Sequence, residues 1–289
     1  MADAILYETP SAGIARIILN RADTRNAQDT AFLYALNEAF DRAAHDDAVK
    51  VIVLSANGPH FSSGHDLREV DGHGTMRRHD PVGTWGGFGK PGAEAQYARE
   101  QEIYIGFCER WRNIPKPTIA AVHGKLIAGG LMLMWPCDLI VAADDTAFLD
   151  QTVAMGVGGA EYFMHPWEMG VRKAKEFLFT ADWIEAKEAL RLGMVNHVVP
   201  RQELLDITFA MAERIALKPM FALKLVKEAV NAAQDAQGRR TAMQVSFALH
   251  HLAHAHNQLN HGTLVDPTGL MGPMATKANA AAVKKTAAE

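Results

Sequence analysis

Cysteine is almost missing from the chain: two occur in 289 residues, Cys108 and Cys137, and neither belongs to a C-x-x-C pair. A disulfide framework and a thiolate zinc site therefore find no support, and a reducing, cytoplasmic setting is the expectation. Long apolar runs are lacking too. No stretch reaches the ~18 uncharged apolar residues that a membrane span needs, and the opening MADAILYETP has neither the basic region nor the apolar run of a leader. An excess of positive charge is also absent. Lys and Arg number 29 against 33 Asp and Glu, a formal net charge of -4, so no global field would recruit nucleic acid or an anionic membrane. What remains is 48% hydrophobic and 21% charged residues, the balance of a folded globular chain long enough for one large domain or two ordinary ones.

Periodicity divides the chain into two regions. Two β-rich runs, Ala4 to Tyr7 and Ile14 to Leu19, flank a turn rich in Pro and Gly. From Asp29 to Ala44, Phe32, Leu36, Ala39, Phe40 and Ala43 recur at helical spacing, with Asp29 placed to cap the helix. Short β-branched or small apolar runs, Val49 to Leu54, Thr118 to Val122 and Leu139 to Ala143, read as buried strands. A helical pattern spans Tyr97 to Arg112, and another about Ala128 to Pro136. Strand, glycine turn and helix repeat, which predicts an α/β layered fold over residues 1–200. Beyond Pro200 only helices are predicted (Leu204 to Leu217, Ala222 to Gln234, Arg240 to Leu259), ending in an Ala/Lys-rich surface tail, so residues 201–289 form a helical region.

Two glycine turns carry the chemistry. In Ile119-Ala120-Ala121-Val122-His123-Gly124-Lys125-Leu126-Ile127-Ala128-Gly129-Gly130, a strand ends in a turn that opens a helix, whose first N–H groups lack helical partners. Such groups either bind developing negative charge or merely let the helix pack closely on the sheet. The second turn, His60-Phe61-Ser62-Ser63-Gly64-His65-Asp66-Leu67, also follows a strand. Together these segments resemble the crotonase family of enoyl-CoA hydratases and isomerases, whose patterns run F-x-A-G-x-D-L and I-A-A-V-x-G-x-x-x-G-G-G-x-x-L-x-x-x-C-D. The likeness extends over Ile14 to Pro200.

That resemblance implies a spiral of repeated ββα units, a C-terminal helical trimerisation region giving a homotrimer or hexamer, and an acyl-CoA substrate, with no cofactor beyond its coenzyme A. It also implies an oxyanion hole formed by the backbone N–H groups of His65 and Gly129, and thioester or nucleotide contacts from Arg25, Asn26, Ala27, Ser63, His65, Asp66 and Leu67. The His65 imidazole either takes part or points away. Hydratases of the family carry two glutamates at positions that are Met132 and Thr152 here. Neither side chain exchanges a proton near neutral pH, so the two-glutamate addition of water is not supported. Glu161 becomes the first catalytic candidate and Asp150 the second. A helix-start carboxylate and a capping or solvated one are their alternatives.

Two further features stay open. The stretch Asp71 to Gly92 is glycine-rich without being a phosphate loop, since Lys90 is followed by Pro91. It is either a lid whose Trp85 and Phe88 line an acyl pocket, or a surface insertion. His250, His251, His254, His256 and His261 cluster on one predicted helix, with His250 and His254 spaced as a metal pair would be. With no H-E-x-x-H motif or evident third ligand, no metal is expected, and an interface or solvated face is the reading. The expected activity is an enolate reaction of an acyl-CoA thioester, isomerisation before hydration. The alternative is an acyl-CoA-binding member of the fold that has lost catalysis.

Overall fold

The computed structural model describes residues 3–69 and 71–269. It opens with an antiparallel pair, β1 (Ile5–Ser11) and β2 (Ile14–Leu19). β1 runs past the expected end at Tyr7 because it lies on the sheet edge, where Pro10 removes no needed ladder bond. Helix α1 (Thr30–His45) starts where the Asp29 carboxylate accepts from the Phe32 N–H at 2.8 Å, and its Phe32, Leu36, Ala39, Phe40 and Ala43 are buried. Strand β3 (Val51–Ala56) then pairs parallel with β2. The segment read as a loop contains one short helix, α2 (Gly72–Met76), capped by Asp71.

Next come α3 (Ala93–Glu100), a π-helical turn over Gln101–Gly106, and α4 (Phe107–Arg112), where the periodicity predicts one continuous helix. Strands β4 (Thr118–Val122) and β5 (Lys125–Ile127) lead into α5 (Gly129–Met134), followed by β6 (Leu139–Ala143) and β7 (Ala147–Leu149). After α6 (His165–Met169), α7 (Val171–Thr180), β8 (Ile184–Glu185), α8 (Ala186–Leu192) and β9 (His197–Val199), three long helices finish the described chain. They are α9 (Leu204–Ala216), α10 (Met220–Ala236) and α11 (Arg239–His261).

The strands build a six-stranded sheet in the order β1-β2-β3-β4-β6-β9, parallel from β2 onward, and a small sheet β5-β7-β8. β4 and β6 lie in the large sheet, and the strands that follow them, β5 and β7, in the small one, which gives the repeating ββα spiral. Alternation decides the faces. Ile52, Leu54, Ala120, Val122, Ile140 and Ala142 point into the main core with Phe32, Phe40 and Trp111. Val51, Val53, Ile119, Ala121, Val141 and Ala143 point to the other face, which Leu204, Met211 and Ala212 of α9 cover. The helical region after Pro200 thus supplies a wall of the core, while α10 has no fully buried residue and leaves Phe221, Leu225, Val226 and Val230 exposed.

Among the described residues no helix is long and apolar enough to cross a membrane. The expected surface tail lies, from residue 270 onward, outside the described residues. Just before it, a short turn at Pro267–Gly269 follows the bond from the Asp266 N–H to the Met155 carbonyl at 2.9 Å.

Candidate active site

The two glycine turns meet. Gly64 has φ +87°, and a Cβ there would stand 2.6 Å from the Ile127 carbonyl oxygen and 3.4 Å from the Gly129 nitrogen, so only glycine lets the backbones touch. Gly130 is similarly pressed: its Cβ would meet the Ser62 carbonyl at 2.6 Å. Backbone bridges between Ser62 and Leu126 and between Gln28 and His65 hold the turns in place. Ala128, between β5 and α5, is held at φ 44°, ψ -105°, a conformation that costs energy for a residue with a side chain. Among the described residues the N–H groups of His65 and Gly129 donate to no backbone acceptor.

Both turns open on a cavity of about 510 Å³. Glu161 and His65 line it, and His65 Nε2 donates to Glu161 Oε2 at 3.1 Å. The imidazole therefore points into the site, not away from it. Its ring stacks on Tyr104, 4.2 Å between centroids, and lies over Gly129, where a Cβ would fall 2.5 Å from His65 Cε1. Glu161 is buried and sits in an irregular bend before α6, so it is not a helix-start carboxylate. Burial pushes its carboxyl up, but the His65 and His250 imidazoles and the His65 hydrogen bond outweigh this and hold it well below the carboxylate range. The Tyr104 phenol is pushed up, first by burial.

Asp150 is elsewhere. It is fully buried and does not line the cavity. Four donors occupy it: the Thr152 N–H at 3.0 Å, the Thr152 hydroxyl at 2.6 Å, the Ala160 N–H at 2.9 Å and His165 Nε2 at 2.8 Å. Burial raises its carboxyl, yet the bond and charge of His165, with Thr152 and Ala160, leave it below its ordinary value. The structure therefore separates Asp150 from the catalytic candidates: its bonds fasten the two ends of the loop that precedes Glu161. Of the positions that hold glutamate in family hydratases, Thr152 lines the cavity, whereas Met132 is buried in α5.

Ser63, His65, Asp66 and Leu67 line the cavity, with Leu67 60% exposed at its mouth. Arg25, Asn26 and Ala27 do not line it. Asn26 is fully buried, accepting from the Arg21 N–H at 2.8 Å and donating to the carbonyls of Asn57 and His60 at 3.0 and 3.1 Å, which makes it a fastener between loops. Ala27 is buried, and Arg25, exposed at φ 55°, remains available to a ligand outside the cavity. Within the segment Asp71 to Gly92, Gly72 and His73 reach the cavity. Trp85 instead packs on Tyr97 over a separate hollow, and Phe88 lines neither. The Glu102 carboxylate anchors this segment by accepting from the N–H groups of Val82 and Gly83 at 2.7 and 2.9 Å.

Other lining residues are given no catalytic role by the sequence reading. Arg99, Glu100 and Tyr104 come from α3 and the π-turn, His250 and His254 from α11. His250 Nε2 lies 3.4 Å from Glu161 Oε1, and His251 Nε2 3.2 Å from Glu100 Oε2. His250 and His251 are buried, which corrects the expectation of a solvated or interface face for that part of the helix. Burial pushes the His254 imidazole down, outweighing Glu100, which pulls it up.

The chain is similar to known proteins over most of its length. The family model described as enoyl-CoA hydratase/isomerase matches residues 9–84 and 87–265. EchA13 of Mycobacterium tuberculosis, an enoyl-CoA hydratase by name, is 44% identical over 279 residues, covering 90% of this chain and 85% of that protein. The crystal structure of a probable enoyl-CoA hydratase from Mycobacterium smegmatis superposes with a TM-score of 0.82 at 46% identity, over 92% of this chain and 99% of the other. A monofunctional enoyl CoA isomerase from M. smegmatis superposes at 0.63 with 26% identity, over 80% and 94% of the two chains.

Proposed function

The chain belongs to the enoyl-CoA hydratase/isomerase family, an enzyme family acting on acyl-CoA thioesters, and from that premise we propose that it moves a proton along an enoyl-CoA, isomerising the double bond, with Glu161 as the base. The observation that carries this reading is the buried Glu161 carboxylate on a cavity onto which both glycine turns open, with the N–H groups of His65 and Gly129 making no backbone hydrogen bond among the described residues. The thioester oxygen accepts from the N–H groups of His65 and Gly129. Glu161 takes a proton from the α or γ carbon, and the electron pair of that C–H bond passes to the oxygen as an enolate. The same carboxyl returns the proton to the other end of the allyl system, so atoms and charge balance. Each donor is worth about 2.7 to 4 kcal/mol where one has been removed from comparable sites.

Held as low as it is by His65, Glu161 is a weak base until substrate arrives. An acyl group seated between the turns displaces the imidazole from the carboxylate, and basicity rises as the thioester binds. His65 is thus a positioning residue as well as an oxyanion donor. Hydration fits less well, because Met132 and Thr152 leave no second carboxylate at the usual positions and Asp150 is engaged outside the cavity. The M. smegmatis isomerase among the structural relatives is in keeping with this choice.

A panel of 2-enoyl-, 3-enoyl- and 3-hydroxyacyl-CoAs tests it. Interconversion of 3-enoyl and 2-enoyl thioesters, with solvent deuterium entering the α or γ carbon, is expected. Faster hydration than isomerisation, or tight acyl-CoA binding with no turnover of any member, would overturn the assignment.

A further inference from the structure

Glu100, on α3, lies about 150 residues before His250 and His254 of α11, yet one ligand atom of each falls within 4.8 Å of the others. Each histidine is oriented from behind. His250 Nδ1 donates to the Gly159 carbonyl at 2.9 Å and His254 Nδ1 to the Leu264 carbonyl at 2.7 Å. A carbonyl can only accept, so Nδ1 of each ring carries a proton, and Nε2, the nitrogen turned towards Glu100, is the one that offers a lone pair to a metal. This is the arrangement in which an outer hydrogen bond fixes a metal-binding imidazole.

The facing atoms do not satisfy one another. His250 Nε2 is 3.8 Å from Glu100 Oε2 and His254 Nε2 is 3.9 Å from Glu100 Oε1, too far for hydrogen bonds. Among the described residues Glu100 Oε2 and His250 Nε2 are buried without a well-aligned hydrogen bond, although His251 Nε2 stands 3.2 Å from Glu100 Oε2 and Gln96 donates to Glu100 Oε1; Glu100 and His250 are each 3% exposed. Leaving such acceptors unpaired costs about 1 to 3 kcal/mol each, more for a charged group. Glu161 adds a second carboxylate 3.4 Å from the same His250 nitrogen. Two buried carboxylates thus lie against this pair of imidazoles, and a dication among them would offset their charge.

We propose that Glu100, His250 and His254 bind one divalent transition-metal ion, with Zn²⁺ best matched to two imidazole nitrogens and a carboxylate oxygen. Bonds of roughly 2.0 to 2.1 Å in a tetrahedral site put ligand atoms about 3.4 Å apart, so from separations of up to 4.8 Å the three side chains need to close by about 1.4 Å at most. All three line the cavity, which leaves the fourth position to water or to an oxygen of the bound acyl group. The site stands independently of the proton-transfer assignment, since its ligands do not include Glu161.

The full-length protein, stripped with a chelator and titrated with ZnSO₄, provides the test through calorimetry and metal content after gel filtration. Expected are one zinc per chain, a raised melting temperature on zinc addition, and a cobalt(II) spectrum of low-symmetry four-coordination. Glu100→Gln and His254→Gln should each weaken binding by at least the roughly 100-fold that loss of an outer partner alone can reach. His256→Gln, exposed on the same helix, should leave it unchanged. Circular dichroism verifies that each variant is folded. Absence of stoichiometric zinc, unaltered affinity in folded Glu100→Gln, or equal loss in His256→Gln would overturn the site.

Discussion

Asp150→Asn should damage the fold rather than the chemistry. Four donors converge on this carboxylate, two on each oxygen. An asparagine amide presents one oxygen and one NH₂ group, so in either orientation a pair of donors faces another donor. Two hydrogen bonds to a buried charge, at about 1.5 to 3 kcal/mol each, give a loss of roughly 3 to 6 kcal/mol. Breaking the buried pair with His165 leads independently to about 3 to 5 kcal/mol. For a chain of this size a loss of 3 to 5 kcal/mol lowers the melting temperature by roughly 6 to 20 °C. Calorimetric melting of wild type and variant at neutral pH measures it, with turnover read well below the lower transition. A melting point within about 2 °C of wild type would show that the Asp150 bonds do not hold the loop before Glu161.

Acid should remove the same contribution: because Asp150 is held below the 3.8 of a free aspartate, the unfolded chain binds the proton first. Its stabilisation is then complete above that value and is lost as pH falls through the folded one. Denaturant unfolding down the acid limb should show a shallower slope in Asp150→Asn than in wild type; equal slopes would contradict the pairing. Gly129→Ala puts a Cβ 2.8 Å from His65 Nδ1, so the ring must swing off Glu161, and a displaced oxyanion donor costs about 10²- to 10³-fold in turnover. Undiminished turnover would separate Gly129 from the site. Phe221, Leu225, Val226 and Leu249 leave α10 and α11 with wet apolar faces, so sedimentation equilibrium should report an oligomer, of three or six copies if the family resemblance extends to assembly, and a single-copy mass at micromolar concentration would refute the inference from those faces.

Local patterns made the frame legible. Strands Thr118–Val122 and Leu139–Ala143 follow from short apolar runs between turn residues, and the Asp29 cap from its place before a 3.6-residue repeat. The glycine turns were readable because close backbone approach admits no other residue, and Glu161 through the family likeness. Long-range convergence was not readable. Glu100 is a buried acid in a short helix whose partners are supplied by α11. The i, i+4 spacing of His250 and His254 was visible, but nothing local announces a third group so far away. The π-turn at Gln101–Gly106 was equally hidden, since its residues keep near-helical periodicity while the wider turn changes which of them reach the cavity. Asp150 misled because a carboxylate near the site in sequence can serve the loop instead of the substrate.

The most direct test of the account is the turnover of Glu161→Gln on whichever enoyl-CoA the wild type isomerises, with thioester affinity and solvent deuterium uptake measured on the same samples. Removal of the only base used should lower turnover by about 10²- to 10⁴-fold and abolish exchange, while the two N–H donors keep affinity near that of wild type. Turnover and exchange close to wild type, with affinity unchanged, would contradict the central claim that Glu161 carries the proton.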